Sequence, residues 1–284
     1  METQEKITYI VDWLKDYSDK GFVIGVSGGV DSATTSKLCA LTGRRIIVVN
    51  MAVWPLKDYR KNKKQLTLAT EHMAELVQEH ADCESISLEL TPLTHIFKLN
   101  MSEVGCSNDL AMANSTARFR MLTLYHIAQA NDLLVCGTGN KVEDFGVGFY
   151  TKYGDGGVDI SPIGDLMKSE VYELARELKV NQNIIDAAPT DGLWFDGRTD
   201  EDQLGITYDE AEWAMRVDEK KIDPKSLDPI SERKYNIYKD WNTKNAHKMK
   251  PIPVCKMPDE VIEVETGSEF DFKTYKHTYG STWE

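Results

Sequence analysis

No apolar run in the sequence approaches the roughly 20 residues needed to cross a bilayer, and the opening METQEKITYI lacks the long apolar stretch of a secretory signal. A cytoplasmic protein with no membrane contact is expected. Positive charge is also scarce: 33 basic residues against 46 acidic ones leave a formal charge of −13. Broad contact with nucleic acid normally needs a basic face, so no nucleic-acid partner is expected, while a small local anion site stays compatible with this charge.

Cysteine arrangements that would staple or bind metal are missing too. Cys39, Cys83, Cys106, Cys136 and Cys255 are odd in number, widely spaced and never form CxxC. Neither a disulfide framework nor a zinc ribbon is indicated, and free, mostly buried thiols are expected. His72 and His80 lie near Glu71, Glu75 and Glu79 without HExxH spacing. That segment reads as a solvated helix face with no chemistry.

What is present suits a globular chain. Of 284 residues, 41% are hydrophobic before glycine is counted, enough for a substantial core. Neither internal repeats nor a linker divides it, so a single domain over 1–284 is expected, with a C-terminal extension from about 256. Ile7, Ile10, Val11, Leu14 and Tyr17 keep a helical period, and Gly21 ends it. Phe22 to Val26 then reads as a buried strand, SGGVDS (27–32) as a glycine loop, and ATTSKLCAL as a helix.

The alternation continues with strands expected at Ile46 to Asn50, Ser85 to Leu90 and Leu133 to Cys136. Helices are expected at about Leu56 to His80, from Asp109 to Ala130, and over the stripe Met167, Val171, Leu174, Ala175 and Leu178. Strands alternating with helices predict an α/β fold: a doubly wound, mostly parallel sheet covered on both faces. Between them, 137–165 holds eight glycines and one proline with little sustained period, and reads as a long functional loop. The polar, acidic stretch 195–205 precedes a helix-like YDEAEWAM.

The SGGVDS loop carries the sharpest chemical signal. Gly28 and Gly29 permit close backbone approach, and the helix that starts near Asp31 offers unpaired N–H groups and about half a positive charge, a setting suited to phosphate. Ser27 and Ser32 add hydroxyls. The loop is neither GxxxxGK[ST] nor GxGxxG, and an acid stands where a lysine would. Asp31 beside phosphates calls for a divalent cation between them, and magnesium characteristically joins one or two carboxylates to nucleotide phosphates. A plain helix cap, with Ser27 or Asp31 satisfying backbone donors, stays open as the alternative.

Strand, SGGVDS and helix together resemble the pyrophosphate loop of the ATP pyrophosphatases, in which NAD synthetases stand with GMP, asparagine and argininosuccinate synthetases. GTGNKVE (137–143) and FYTKYGDGGVDISPIGDLMK (149–168) are similar to the NAD synthetase pattern, as are ARFRM (117–121), APT (188–190), LGITYDE (204–210) and His247-Lys248. One departure is visible: Glu143 and TKYGDGG stand one residue farther apart than in the forms compared.

The resemblance implies an adenine nucleotide hydrolase-like fold and an ammonia-dependent ligase. Deamido-NAD, ATP and ammonia would give NAD, AMP and pyrophosphate through an acyl-adenylate. It assigns ATP contacts to Ser27, Gly28, Gly29, Asp31, Ser32, Thr138, Lys168 and Thr190, magnesium to Asp31 and Glu143, and catalysis to Asp31 and Lys168. Arg118, Lys152, Asp159, His247 and Lys248 would contact deamido-NAD. Lys168 stands near a helix start, where a cation opposes the dipole by roughly 0.3–1 kcal/mol, so a phosphate would explain it; a solvated lysine is the other reading. Arg118 equally suits the rim of its helix and Asp159 a turn.

A homodimer is implied, with deamido-NAD near the subunit interface. The pattern begins within the first 30 residues, so ammonia free in solution or from a separate donor is expected. A tRNA-modifying ATP pyrophosphatase and a non-catalytic ATP-binding regulatory module are the competing readings.

Overall fold

The computed structural model describes residues 1–54, 63–190, 192 and 198–257. Contacts group the chain into two units, Met1–Pro251 and Ile252–Glu284. The described part of the second, 252–257, has no regular secondary structure.

In the first unit the strands are β1 (Gly21–Gly25), β2 (Arg45–Ala52), β3 (Cys83–Glu89) and β4 (Leu134–Cys136). They pair in parallel in the order β3-β2-β1-β4, with Gly21 beside Arg45, Phe22 beside Leu134 and Ile46 beside Cys83. The helices are α1 (Thr3–Tyr17), α2 (Val30–Ala40), α3 (Lys63–Glu79), α4 (Thr91–Glu103), α5 (Asp109–Asn131), α6 (Lys168–Glu177), α7 (Gln182–Ile185), α8 (Asp200–Leu204), α9 (Tyr208–Glu219) and α10 (Pro229–Met249).

Side-chain alternation explains the layering, because successive strand residues face opposite sides. Phe22, Ile24, Ile46 and Val48 bury one face against Ile7, Ile10 and Leu14 of α1, Leu38 of α2, Met73 and Leu76 of α3, and Val171 and Leu174 of α6. Val23, Ile47, Val49 and Val135 bury the other beneath α5, through Ala128 with Phe119 and Leu124 packed alongside. This is the expected α/β sheet with both faces covered. Strands β1, β2 and β4 read as apolar runs because neither face meets water, whereas β3 at the sheet edge is buried at Cys83 and mostly exposed along the rest.

Several elements depart from the sequence expectation. Helices α4, α7, α8 and α10 lie in stretches where none is expected, and the loop at 137–165 contains a π-helical segment, Val142–Val147. This segment lies at the start of the stretch between Glu143 and TKYGDGG. Helix α10 secures its end: Asn242, Asn245 and Lys248, spaced by three on one face, donate to the carbonyls of Gly146, Val147 and Gly148 at 2.7, 2.9 and 2.7 Å. The start expected at Leu56 for the third helix, and Phe195, Asp196 and Gly197 of the acidic stretch, lie outside the described residues.

His72 corrects the reading of α3 as a solvated face around that position. It is 0% exposed, with Nε2 2.8 Å from the Ser36 hydroxyl, whereas His80 is part-buried. The position belongs to the inward stripe with Leu68, Ala69, Met73 and Leu76. Burial, and then the positive charge of Lys37, lower the His72 pKa to about 4.

In the unfolded chain this group takes a proton near 6.5, so the native state loses stability as pH falls from there toward 4. The loss is expected to reach about 3 kcal/mol. His72→Gln, which does not titrate, should flatten that part of a urea-denaturation series, and equal slopes in the two proteins would place the acid sensitivity elsewhere.

Candidate active site

The strand order reverses between β1 and β4, and such a switch point opens a crevice at the carboxyl ends of the strands. SGGVDS leaves β1 there and Gly137-Thr138 leaves β4. Together with the π-helical segment, the start of α6 and the inner face of α10, they line a cleft of about 590 Å³.

The glycine loop is held by its two serines. Ser32 Oγ donates to the Gly29 carbonyl at 3.0 Å and accepts from Ser27 N–H at 3.2 Å. Ser27 Oγ lies 3.1 Å from Ser32 Oγ and accepts from Gly29 N–H at 3.2 Å. Gly28 has φ +89°, and a Cβ there would lie 2.5 Å from the Gln65 carbonyl of α3. A side chain would be strained in both backbone and packing. Gly29 sits at the N-cap of α2, which places Asp31 in the first helical turn.

Asp31 and Glu143 meet on one nitrogen. Lys168 Nζ donates to Asp31 Oδ2 at 2.6 Å and to Glu143 Oε1 at 2.9 Å. Asn140, fully buried, links the same pair: its amide donates to Asp31 Oδ1 at 3.0 Å, and its carbonyl oxygen accepts from Glu143 N–H at 3.1 Å. Tyr208 adds its hydroxyl to Glu143 Oε1 at 2.7 Å. Lys168 is 2% exposed, which removes the solvated-lysine alternative. It opens α6, where the two carboxylates offset the unfavourable dipole. The next residue is fixed as well, since Ser169 donates through N–H and hydroxyl to buried Glu212, both at 2.8 Å.

The three charges perturb one another in different directions. Burial would lower the Lys168 pKa, but Asp31 and Glu143 outweigh it and hold the ammonium well above its ordinary range. Burial raises Glu143, yet Lys168 and the Tyr208 hydroxyl bring it below a normal carboxylate. Asp31 ends above its ordinary value because burial, reinforced by Glu143, exceeds the pull of Lys168.

Of the residues assigned from the resemblance, Ser27, Gly28, Gly29, Asp31, Ser32, Thr138, Glu143, Lys168, Thr190 and Lys248 line the cleft. Arg118, Lys152, Asp159 and His247 do not. Arg118 is exposed and donates to the Lys152 carbonyl at 3.3 Å, while Lys152 donates to the His247 carbonyl at 2.9 Å. Asp159 accepts from Val135 N–H at 2.8 Å and from the Tyr125 hydroxyl at 3.0 Å, bracing the edge at β4. Lys248 donates to the Gly148 and Tyr150 carbonyls, each at 2.7 Å.

Asn140, Tyr208 and Asp144 enter the site without having been singled out. The first two lay in the quoted stretches GTGNKVE and LGITYDE. Asp144 follows Glu143 and lines the cleft, its carboxylate against Gly139, where an added Cβ would overlap it.

Two carboxylates, a buried ammonium and a glycine loop at a helix start are suited to a polyphosphate brought in with a hard cation. The NAD synthase family model matches residues 2–252. An NH(3)-dependent NAD(+) synthetase from Mesoplasma florum is 38% identical over 246 residues, 83% of this chain and 96% of that protein. The solved structure of an NMN synthetase from Francisella tularensis superposes with a TM-score of 0.74 at 31% identity, covering 90% of this chain and all of the other. An NH3-dependent NAD synthetase from Campylobacter jejuni gives 0.71 at 26%, with the same coverage. A glycine loop and an acid pair set at the sheet's switch point, and a match running through nearly the whole first unit, make this chain a member of the NAD synthase family.

Proposed function

We infer that this chain amidates deamido-NAD with ammonia, using ATP and releasing AMP and pyrophosphate. The observation that carries the reading is the meeting of Asp31, from the first turn of α2, and Glu143, from the π-helical segment after β4, on the Lys168 ammonium inside the cleft. The N–H groups at the start of α2 suit the phosphates, and Thr138 and Thr190 stand in the same cleft. The nicotinate carboxylate would attack the α-phosphorus of ATP, and ammonia would then displace AMP from the acyl-adenylate. No side-chain nucleophile is required. The chain contributes positioning, charge compensation and shelter for the adenylate from water.

Asp31 and Glu143 fit magnesium: both are hard oxygen donors and both reach a single cation's position. Among the described residues no group of three or more His, Cys, Asp or Glu could hold a metal ion by itself, so phosphate and water oxygens would complete the shell. A bound magnesium ion would neutralise the phosphates and stabilise the departing pyrophosphate.

A homodimer is part of this proposal. Leu93, Ile96 and Leu99 of α4, with Leu110 and Leu122 of α5, stand between 43% and 59% exposed. Burying them against a second copy would remove this apolar surface from water. We also place the reaction in the cytoplasm, where free thiols such as these five persist. Among the described residues no helix is long and apolar enough to cross a membrane.

A second acceptor merits a parallel assay. The Francisella protein carries the name NMN synthetase, and Arg118, Lys152, Asp159 and His247 lie outside the cleft lining. Purified protein with ATP, magnesium, ammonium and deamido-NAD should yield NAD and AMP in equal amounts. Faster turnover of the nicotinate mononucleotide would reassign the acceptor. Absence of AMP with either would leave an ATP-binding module.

A further inference from the structure

We propose that Tyr208 is a positioning residue for the reaction, holding the Glu143 carboxylate and the Lys168 ammonium in the mutual placement that metal-bound nucleotide requires. Tyr208 opens α9 and is 6% exposed. Its hydroxyl donates to Glu143 Oε1 at 2.7 Å and lies 3.4 Å from Asp200 Oδ2. The face of its ring lies 4.6 Å from Lys168 Nζ. One side chain therefore touches both the acid and the base of the cluster by different means, a hydrogen bond and a cation–π contact.

The tyrosine is itself fixed from outside the cleft. Its backbone N–H donates to Glu201 Oε1 at 2.9 Å, and the preceding Thr207 forms a reciprocal cap with Glu210. Glu143 stands on the π-helical segment, and its carboxylate is met by the Lys168 ammonium and the Tyr208 hydroxyl. Lys168 also contacts Asp31, whereas Tyr208 reaches only the Glu143 half of the acid pair. Losing the hydroxyl should loosen that half alone.

This inference rests on the reading of Glu143 as a magnesium ligand, and the test separates the two. Manganese binding is followed by electron paramagnetic resonance with a non-hydrolysable ATP analogue present, alongside the magnesium dependence of NAD formation. Partners of metal-ligating side chains typically change metal affinity 10–100-fold. Y208F, which keeps the ring, should weaken manganese binding about 10-fold or more and raise the magnesium needed for half-maximal rate similarly, with the KM for deamido-NAD unchanged. Y208L, lacking the ring as well, should also raise the KM for ATP.

E143Q with wild-type manganese binding would defeat the ligand reading itself. E143Q impaired and Y208F at wild-type affinity would defeat only the role of Tyr208. A Y208F protein that melts earlier with normal metal dependence, or does not fold, would make the hydroxyl a structural group and overturn the proposal.

Discussion

Asp31→Asn is expected to keep the fold and to lose at least ~100-fold in NAD formation, the scale set by withdrawing several kcal/mol of charge stabilisation from a phosphoryl-transfer site. The fold should survive because Asn has nearly the same shape, and because burial already makes the Asp31 charge the less favourable of the pair. Lys168 would retain Glu143 at 2.9 Å, leaving the ammonium with a partner. Catalysis would have no such reserve, since one of the two carboxylates that meet Lys168 is gone. Steady-state turnover with a thermal melt decides it: a variant turning over at near-normal rate would dismiss Asp31 as a ligand.

Lys168→Met is expected to damage both folding and turnover. It leaves two part-buried carboxylates facing each other without the cation they share, and breaking a buried pair from one side costs about 3–5 kcal/mol. Magnesium should recover part of that loss, because a divalent ion can occupy the vacated position. With Lys168 facing the phosphates as the resemblance implies, turnover should fall at least ~100-fold even at saturating magnesium. Denaturation curves with and without magnesium, beside initial rates, test both statements. A Met variant as stable as wild type in metal-free buffer would show that the carboxylates do not need this lysine.

Strands β1 and β2 were legible in the sequence because they are buried on both sides, so Phe22–Val26 and Ile46–Asn50 stand out as apolar runs between glycines and polar turns. The loop after β1 was legible for a related reason: tight turns and close phosphate approach restrict residue choice, and SGGVDS keeps that restriction local. Helix α10 was not, because much of what holds it is polar. Asn242, Asn245 and Lys248 bind carbonyls nearly a hundred positions away, and apolar periodicity is blind to such bonds.

His72 misled because its acidic neighbours Glu71, Glu75 and Glu79 suggested water. Its four-residue spacing from Leu68 and Leu76 was the signal that it turned inward. Tyr208 lay in a quoted motif, but a motif fixes a residue's place without naming its partner, here 65 positions upstream.

A lysine already seated between Asp31 and Glu143 makes loading this pocket an exchange of counter-ions rather than the filling of a gap. A metal taking the two carboxylate oxygens that Lys168 holds would displace a tethered ammonium, and that ammonium would need a new anion to go to. A polyphosphate supplies one and free magnesium does not. If Asp31 and Glu143 hold magnesium as proposed, nucleotide and metal would then be drawn in as a pair.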